Sequence, residues 1–154
     1  MKILIATDGS DFSKAAIERA CEIIGDLKNV SVEIISVVDK PYAPPEPFAV
    51  SADYNRDVEA EMRKQAKNFT DQAEAQFRKR LPDSDLEITT KIFVGKPERA
   101  IIEEAETCGT DLIVLGSHGY GFWKRAWLGS VSNSVMQHAP CSVLIVRRKN
   151  SIQS

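Results

Sequence analysis

The chain has only two histidines, His118 and His138, and three cysteines, Cys21, Cys108 and Cys141, in 154 residues. They assemble no H-E-x-x-H helix and no cysteine-ligand pair, and no G-x-S-x-G elbow is present. Zinc hydrolysis, thiolate metal cages and serine-hydrolase chemistry therefore have no motif to rest on. An odd number of widely spaced cysteines in apolar contexts predicts reduced core thiols rather than disulfides. Long hydrophobic runs are missing too. The opening MKILIATDGSD carries one lysine and a brief apolar run before acidic and turn residues. That predicts neither a secretory leader nor a membrane span, and so a cytoplasmic protein. Charge of one sign is also scarce: 20 basic against 22 acidic residues leave a net charge of −2. No basic field is available to draw nucleic acid or an anionic membrane. What is present, 43% hydrophobic and 27% charged residues, suits one globular domain over residues 1–154 with its own core.

Along the chain, strand and helix signals alternate. Lys2 to Thr7 is an apolar run of strand length closed by the turn signal Asp8-Gly9-Ser10, and reads as a central strand. The helix that follows is capped by Ser10 or by Ser13; in the second case Phe12 and Ile17 take the two positions of a hydrophobic staple. Its inward stripe is Ala16, Ile17, Ala20, Ile23 and Ile24, and Gly25 is placed to stop it. Val30 to Val38 is the second strand. From Asp39 to Ala52, Pro41, Pro44, Pro45 and Pro47 remove backbone donors and predict a proline-rich surface loop. The clearest periodic segment is a helix from about Tyr54 to Arg80, where Val58, Met62, Ala66, Phe69, Ala73, Phe77 and Leu81 recur at spacings of four and three. Leu86 to Val94 alternates like a strand with one partly exposed face, as an outer position in the sheet requires.

Gly95-Lys96-Pro97 then turns into a third helix. Proline stands near its first position, Ala100, Ile101, Ile102 and Ala105 form its apolar set, and Gly109 closes it. Leu112 to Leu115 is a buried strand, Ser130 to Gln137 a helix broken by Pro140, and Ser142 to Val146 the last strand; 149–154 reads as a disordered tail. Five strands joined by four helices imply an α/β fold, an open parallel five-stranded sheet with helices on both faces and right-handed crossovers. Ligands of such sheets bind beyond the C-terminal strand ends, where strand order reverses. Asp8 and Gly116 both stand at such ends.

The stretch DLIVLGSHGYGFWKRAWLGSVS, Asp111 to Ser132, is the most informative. A strand runs into Gly116, glycines return at 119, 121 and 129, and Ser130 opens a helix. Glycines reach φ > 0 and lack the Cβ that would hold a ligand off the backbone. A following helix adds unpaired N–H groups and the positive end of its dipole. Together these suit a chain of phosphates. A Walker A loop would end in Gly-Lys-Ser/Thr, whereas this one ends Leu128-Gly129-Ser130. A dinucleotide fingerprint would need a third glycine where Lys124 stands.

The spacing itself, Gly116, two residues, Gly119, nine residues, Gly129 and Ser130, resembles the nucleotide loop of the ATP-binding branch of the universal stress protein family. The resemblance extends to ILIATDGS at the start and HAPCSVLIVR near the end. It covers nearly the whole chain and is weakest from Pro41 to Ser51. It implies a Rossmann-like, adenine nucleotide alpha hydrolase-like sheet of order 3-2-1-4-5, with Asp8 and the glycine loop flanking one crevice. It further implies that Ala6 and Thr7 line that edge, that the backbone of Val37 meets adenine, and that Leu115 lies against the base. Gly116, His118 and Gly119 then match positions at the ribose and phosphates; Gly129, Ser130, Val131 and Ser132 match the phosphate end. The implied ligand is ATP, with AMP or ADP as variants. Mg²⁺ or Mn²⁺ would be held mainly by the phosphates.

The same residues admit plainer roles. Asp8 before Gly9 is an ordinary turn pair or a carboxylate for ribose hydroxyls. Val37 and Leu115 are core residues or base contacts, and Ser130 is a helix N-cap, a phosphate contact or both. Phe122, Trp123 and Trp127 are packed loop anchors or an exposed partner surface. Lys124 and Arg125 face solvent or attract anions. With no catalytic set beside it, the loop resembles a holder of ATP more than an engine that splits it. The expected function is a nucleotide-dependent regulatory module of stress response acting on an unidentified protein partner. The alternatives are a weak ATPase or nucleotidyl-transferring enzyme in the same pocket, and a structural dimer without ATP. The apolar last strand, Ser142 to Val146, predicts a homodimer, and in the family such strands meet across a two-fold axis. Arg147, Arg148 and Lys149 support the competing reading of an edge kept single by charge.

Overall fold

A computed structural model of the chain describes residues 1–39, 52–82, 84–119 and 128–148. The four prolines after Asp39, the segment holding Phe122, Trp123, Lys124, Arg125 and Trp127, and the tail 149–154 lie outside the described residues. Strands and helices alternate as β1 (Lys2–Ala6), α1 (Asp11–Ile24), β2 (Ser31–Val38), α2 (Ala52–Arg80), β3 (Glu87–Val94), α3 (Pro97–Cys108), β4 (Leu112–Gly116), α4 (Ser130–His138) and β5 (Ser142–Val146). The strands are parallel in the order β3-β2-β1-β4-β5, as expected. The register sets Ile5 opposite Ile34 on one side and Val114 on the other.

Alternation along the strands divides the core into two layers. Ile3, Ile5, Val32, Ile34 and Val114 face the stripe of α1, Ala16, Ile17, Ala20 and Ile24, together with Ala73 and Phe77 of α2. Leu4, Ile35, Ile113 and Leu115 face Ile101 and Ala105 of α3 and Val135 of α4. Phe77 is fully buried, a burial that contributes about 1.5–3 kcal/mol. The central strands are therefore apolar on both faces. The outer β3 keeps Glu87, Thr89, Thr90 and Lys91 exposed. No helix among the described residues is long and apolar enough to cross a membrane.

Ser10 is the cap of α1, its side chain accepting the Ser13 N–H at 3.3 Å, so the staple built on Ser13 does not form. The long helix begins at Ala52, two residues before the expected Tyr54. Gly109 closes α3 in the left-handed region (φ 63°), where its N–H reaches Ala105 and Glu106. Ser130 is not the cap of α4: Gly129 holds that position and Ser130 is the first helical residue. Gly129 is closely packed there, since a Cβ would approach His118 Cα at 3.3 Å and the Ser117 carbonyl at 3.4 Å.

All three cysteines are free, but only Cys21 is buried, and its burial pushes the thiol up to about 11. Cys108 departs from the apolar context expected of it. Its thiol donates to Glu104 Oε1 at 3.0 Å, and Lys91 Nζ bridges Glu104 at 2.5 Å and Glu33 at 2.6 Å. Desolvation raises the Glu104 carboxyl, yet the bonds from Cys108 and Lys91 outweigh it and hold the group below its ordinary value. The same contacts, Glu104 first, hold Lys91 above its own. Donation to Glu104 pushes the Cys108 thiol up to about 11. Glu33, Glu104 and Cys108 gather ligand atoms within 4.8 Å of one another, and the Lys91 ammonium supplies the cation they hold.

Candidate functional site

A cavity of about 260 Å³ opens beyond the C-terminal ends of β1, β2 and β4. The chain leaves β1 toward β2 and leaves β4 toward β5, so the crevice is where strand order reverses. The end of β1 contributes Ala6, Thr7 and Asp8; β2 contributes Val37; β4 and the residues after it contribute Leu115, Gly116, His118 and Gly119. The start of α4 adds Gly129, Ser130, Val131 and Ser132. All twelve positions singled out in the sequence thus line one cavity. Ser13, Pro97 and Ile101 line it as well, and the sequence reading passed over them. Pro97 had a signal: it follows the end of a strand, as Asp8 and Gly116 do, and Ile101 stands one turn further along its helix.

On one wall, hydroxyls and carboxylate hold each other in place. Asp8 Oδ1 accepts the Ser10 N–H at 3.0 Å, an Asx turn. The Gly9 N–H donates to Thr7 Oγ1 at 3.3 Å, the Thr7 hydroxyl donates to Ser13 Oγ at 3.2 Å, and Ser13 donates to the Ser10 carbonyl at 2.9 Å. The turn occupies one carboxylate oxygen of the half-buried Asp8, and no hydrogen bond engages the other among the described residues. Gly9 takes φ 76°. A Cβ there would meet the Phe69 ring at 2.4 Å, so both conformation and packing demand glycine.

The opposite wall is main chain. The first intrahelical donor of α4 is Asn133, bonding the Gly129 carbonyl at 2.9 Å. The N–H groups of Ser130, Val131 and Ser132 therefore have no acceptor within the helix, no side chain caps them, and all three residues line the cavity. The positive end of the helix dipole adds to their pull on an anion. Gly116, Gly119 and Gly129 are not in the left-handed region, contrary to the sequence expectation. Close neighbours crowd the place of a Cβ at each, most rigidly at Gly116, where the neighbour is backbone. A Cβ on Gly116 would lie 2.6 Å from the Phe12 carbonyl carbon, where α1 crosses β4, and one on Gly119 would lie 2.6 Å from Asp8 Oδ2. The His118 ring packs against Phe12 at 5.2 Å, with Nδ1 at 3.1 Å from Ser117 Oγ.

The inner end is apolar, formed by Ala6, Val37, Leu115 and Ile101. Successive residues of a strand turn their polar groups to opposite neighbours. Ile35 turns its carbonyl to β1, accepting from Thr7 at 2.9 Å, and Val38 turns its carbonyl to β3, accepting from Gly95 at 2.9 Å. Alternation then points the Val37 N–H and C=O to the β1 side, beyond the last β1 pairing of Ala6 with Ile35. A backbone donor and acceptor thus face the crevice above an apolar floor.

Residues 1–147 match the model of the universal stress protein family. The chain is similar to universal stress protein MJ0577 of Methanocaldococcus jannaschii, with 33% identity across 97% of this chain and 96% of the relative. Its fold superimposes on a solved structure of MJ0577 with a TM-score of 0.80, 31% identity and 97% of each chain covered. A universal stress protein solved in complex with cAMP is 27% identical, with a TM-score of 0.62 over 95% of this chain and 96% of that one. An Arabidopsis thaliana family protein with AMP bound shares the fold at a TM-score of 0.67 and 20% identity, over 98% of this chain and 93% of that one.

Proposed function

We propose a nucleotide-holding role for this chain, which belongs to the universal stress protein family. The ligand is an adenine nucleotide, ATP in the first instance, and its occupancy governs what the protein recruits during stress. The observation that carries the reading is the convergence of three open amides at the start of α4 with the inward backbone of Val37 in one crevice. An N–H beside a C=O complements the edge of adenine, whose exocyclic amino group donates and whose ring nitrogen accepts; guanine puts an acceptor, O6, in place of that amino group. Ionised phosphate oxygens accept from the amides of Ser130, Val131 and Ser132. Asp8, between these ends, is the carboxylate suited to the ribose hydroxyls. The cAMP complex of a relative at 27% identity supports the choice of an adenine nucleotide.

Mg²⁺ or Mn²⁺ fits as an ion carried by the phosphates, because Asp8 is the single carboxylate among the described lining residues and magnesium is often held by one or two carboxylates plus phosphates. Bound, it would neutralise phosphate charge. The donors at the phosphate end explain the holding of an anion, so binding and not turnover is the activity proposed. Calorimetric titration with ATP, ADP, AMP and GTP, each with divalent metal, tests this. Saturable heat with adenine nucleotides and far weaker heat with GTP is expected; no heat and no thermal protection with any of them ends the proposal. β5 pairs only with β4 among the described strands, and its Val143 to Val146 are half-buried. Pairing of two such edges in a homodimer follows as a further part of this reading, and a concentration-independent monomer in light scattering would reject it.

A further inference from the structure

Ser130 and Ser132 differ in what their hydroxyls are able to do. Ser130 is exposed at the cavity mouth, whereas Ser132 is 2% exposed. The single hydroxyl proton of Ser132 is directed at two carbonyls, Ser117 O at 2.9 Å and Gly129 O at 3.0 Å. Ionised phosphate oxygens only accept hydrogen bonds, so this hydroxyl has no second proton to offer them. The Ser117 carbonyl also receives the Gly129 N–H at 2.8 Å, and the Ser117 N–H donates to the last residue of β5, Val146 O, at 2.8 Å. Ser117 is itself 1% exposed. A buried residue tied by its N–H to the end of the sheet thus takes two bonds at its carbonyl from the start of α4.

We propose that Ser132 is a positioning residue: its hydroxyl clamps the first turn of α4 to Ser117 and so aims the amides of Ser130, Val131 and Ser132 at the ligand phosphates. The inference rests on the nucleotide reading above and adds a division of labour within the motif. Ser130 touches the anion, and Ser132 holds the cradle still. Gly129 belongs to the same device, since a Cβ there would come within 3.4 Å of the Ser117 carbonyl it must approach. A cradle held in place before binding loses less freedom when the anion arrives.

The test titrates full-length wild type, Ser132→Ala, Ser132→Thr and Ser130→Ala with ATP, AMP and adenosine. Amide exchange at Gly129 is followed in each protein without nucleotide. Loss of one buried hydrogen bond corresponds to about a 3- to 10-fold change. Ser132→Ala should weaken ATP by that factor, AMP by less and adenosine by under about twofold, with faster exchange at Gly129; Ser132→Thr, which keeps the donor, should restore both. Ser130→Ala should weaken ATP without changing that exchange. ATP affinity of Ser132→Ala within about twofold of wild type, or equal losses for ATP and adenosine, would overturn the proposal. Should wild type bind no adenine nucleotide, the nucleotide reading itself fails. Exchange at Gly129 then still decides the clamp: loosening in Ser132→Ala supports it and unchanged protection overturns it.

Discussion

Two polar regions of this molecule sit one helix apart and are built on opposite principles. In the crevice above β1 and β4, polar groups are left open: amides at the start of α4, a backbone pair at Val37, a carboxylate oxygen of Asp8. In the cluster of Glu33, Lys91, Glu104 and Cys108, every charge is answered by a neighbour at hydrogen-bond distance. Helix α3 joins them, with Ile101 against the cavity and Glu104 in the cluster. The difference teaches where a ligand belongs. A group already satisfied by protein gains little from a newcomer, whereas a buried or half-buried donor without a partner gains a great deal.

Substitutions break that contrast in unequal ways. The largest effect is expected from Gly116→Ala, whose Cβ would fall 2.6 Å from backbone of Phe12. Displacing α1 from β4 should cost about 1–3 kcal/mol, as other overpacked sites do. Urea unfolding should show a lower midpoint at unchanged slope, and ATP affinity should fall with it because α1 carries the Asp8 turn. Next comes Lys91→Met, which leaves Glu33 and Glu104 facing each other without their cation. Loss of one partner of a fully buried pair costs more, but Lys91 is 46% exposed, so about 1–2 kcal/mol is expected. Nucleotide affinity should stay within about twofold of wild type. A large loss of affinity would show that the two regions are not independent.

The smallest effect concerns pH. The folded-state pKa of Cys108 is raised, to about 11 from an ordinary 9.0, chiefly by donation to Glu104. A raised thiol pKa means the folded protein prefers the protonated form. Its stabilising contribution is present below pH 9 and is lost as pH rises toward 11. Cys108→Ala should therefore lose its small deficit in thermal midpoint across that window, read by melting curves of both proteins at pH 7, 9 and 11. A constant difference between them would contradict the assignment.

Much of this was legible from residue order because the signals are local. Apolar runs of strand length marked β1 and β4, alternation marked β3, and the four-three spacing of α2 ended in the buried Ala66, Ala73 and Phe77. Gly109 and Pro97 bounded α3 through backbone preferences that belong to single residues. Other matters were illegible for a physical reason. Gly116 is constrained by Phe12, more than a hundred residues earlier, and Gly119 by Asp8, so the reason for each glycine is a neighbour no local pattern names. Cys108 read as apolar from its neighbours in sequence, while its partner Lys91 lies 17 residues away on another element.

Periodicity, turn chemistry and glycine spacing, all properties of short stretches, were enough by themselves to determine an alternating α/β chain and the positions worth inspecting. Only the tertiary structure decided which groups remain unanswered when those stretches meet. Whether a hydroxyl is free or engaged, as in Ser130 against Ser132, depends here on a carbonyl brought in from beyond the helix, that of Ser117. Hydrogen-bond saturation is a property of the assembled packing.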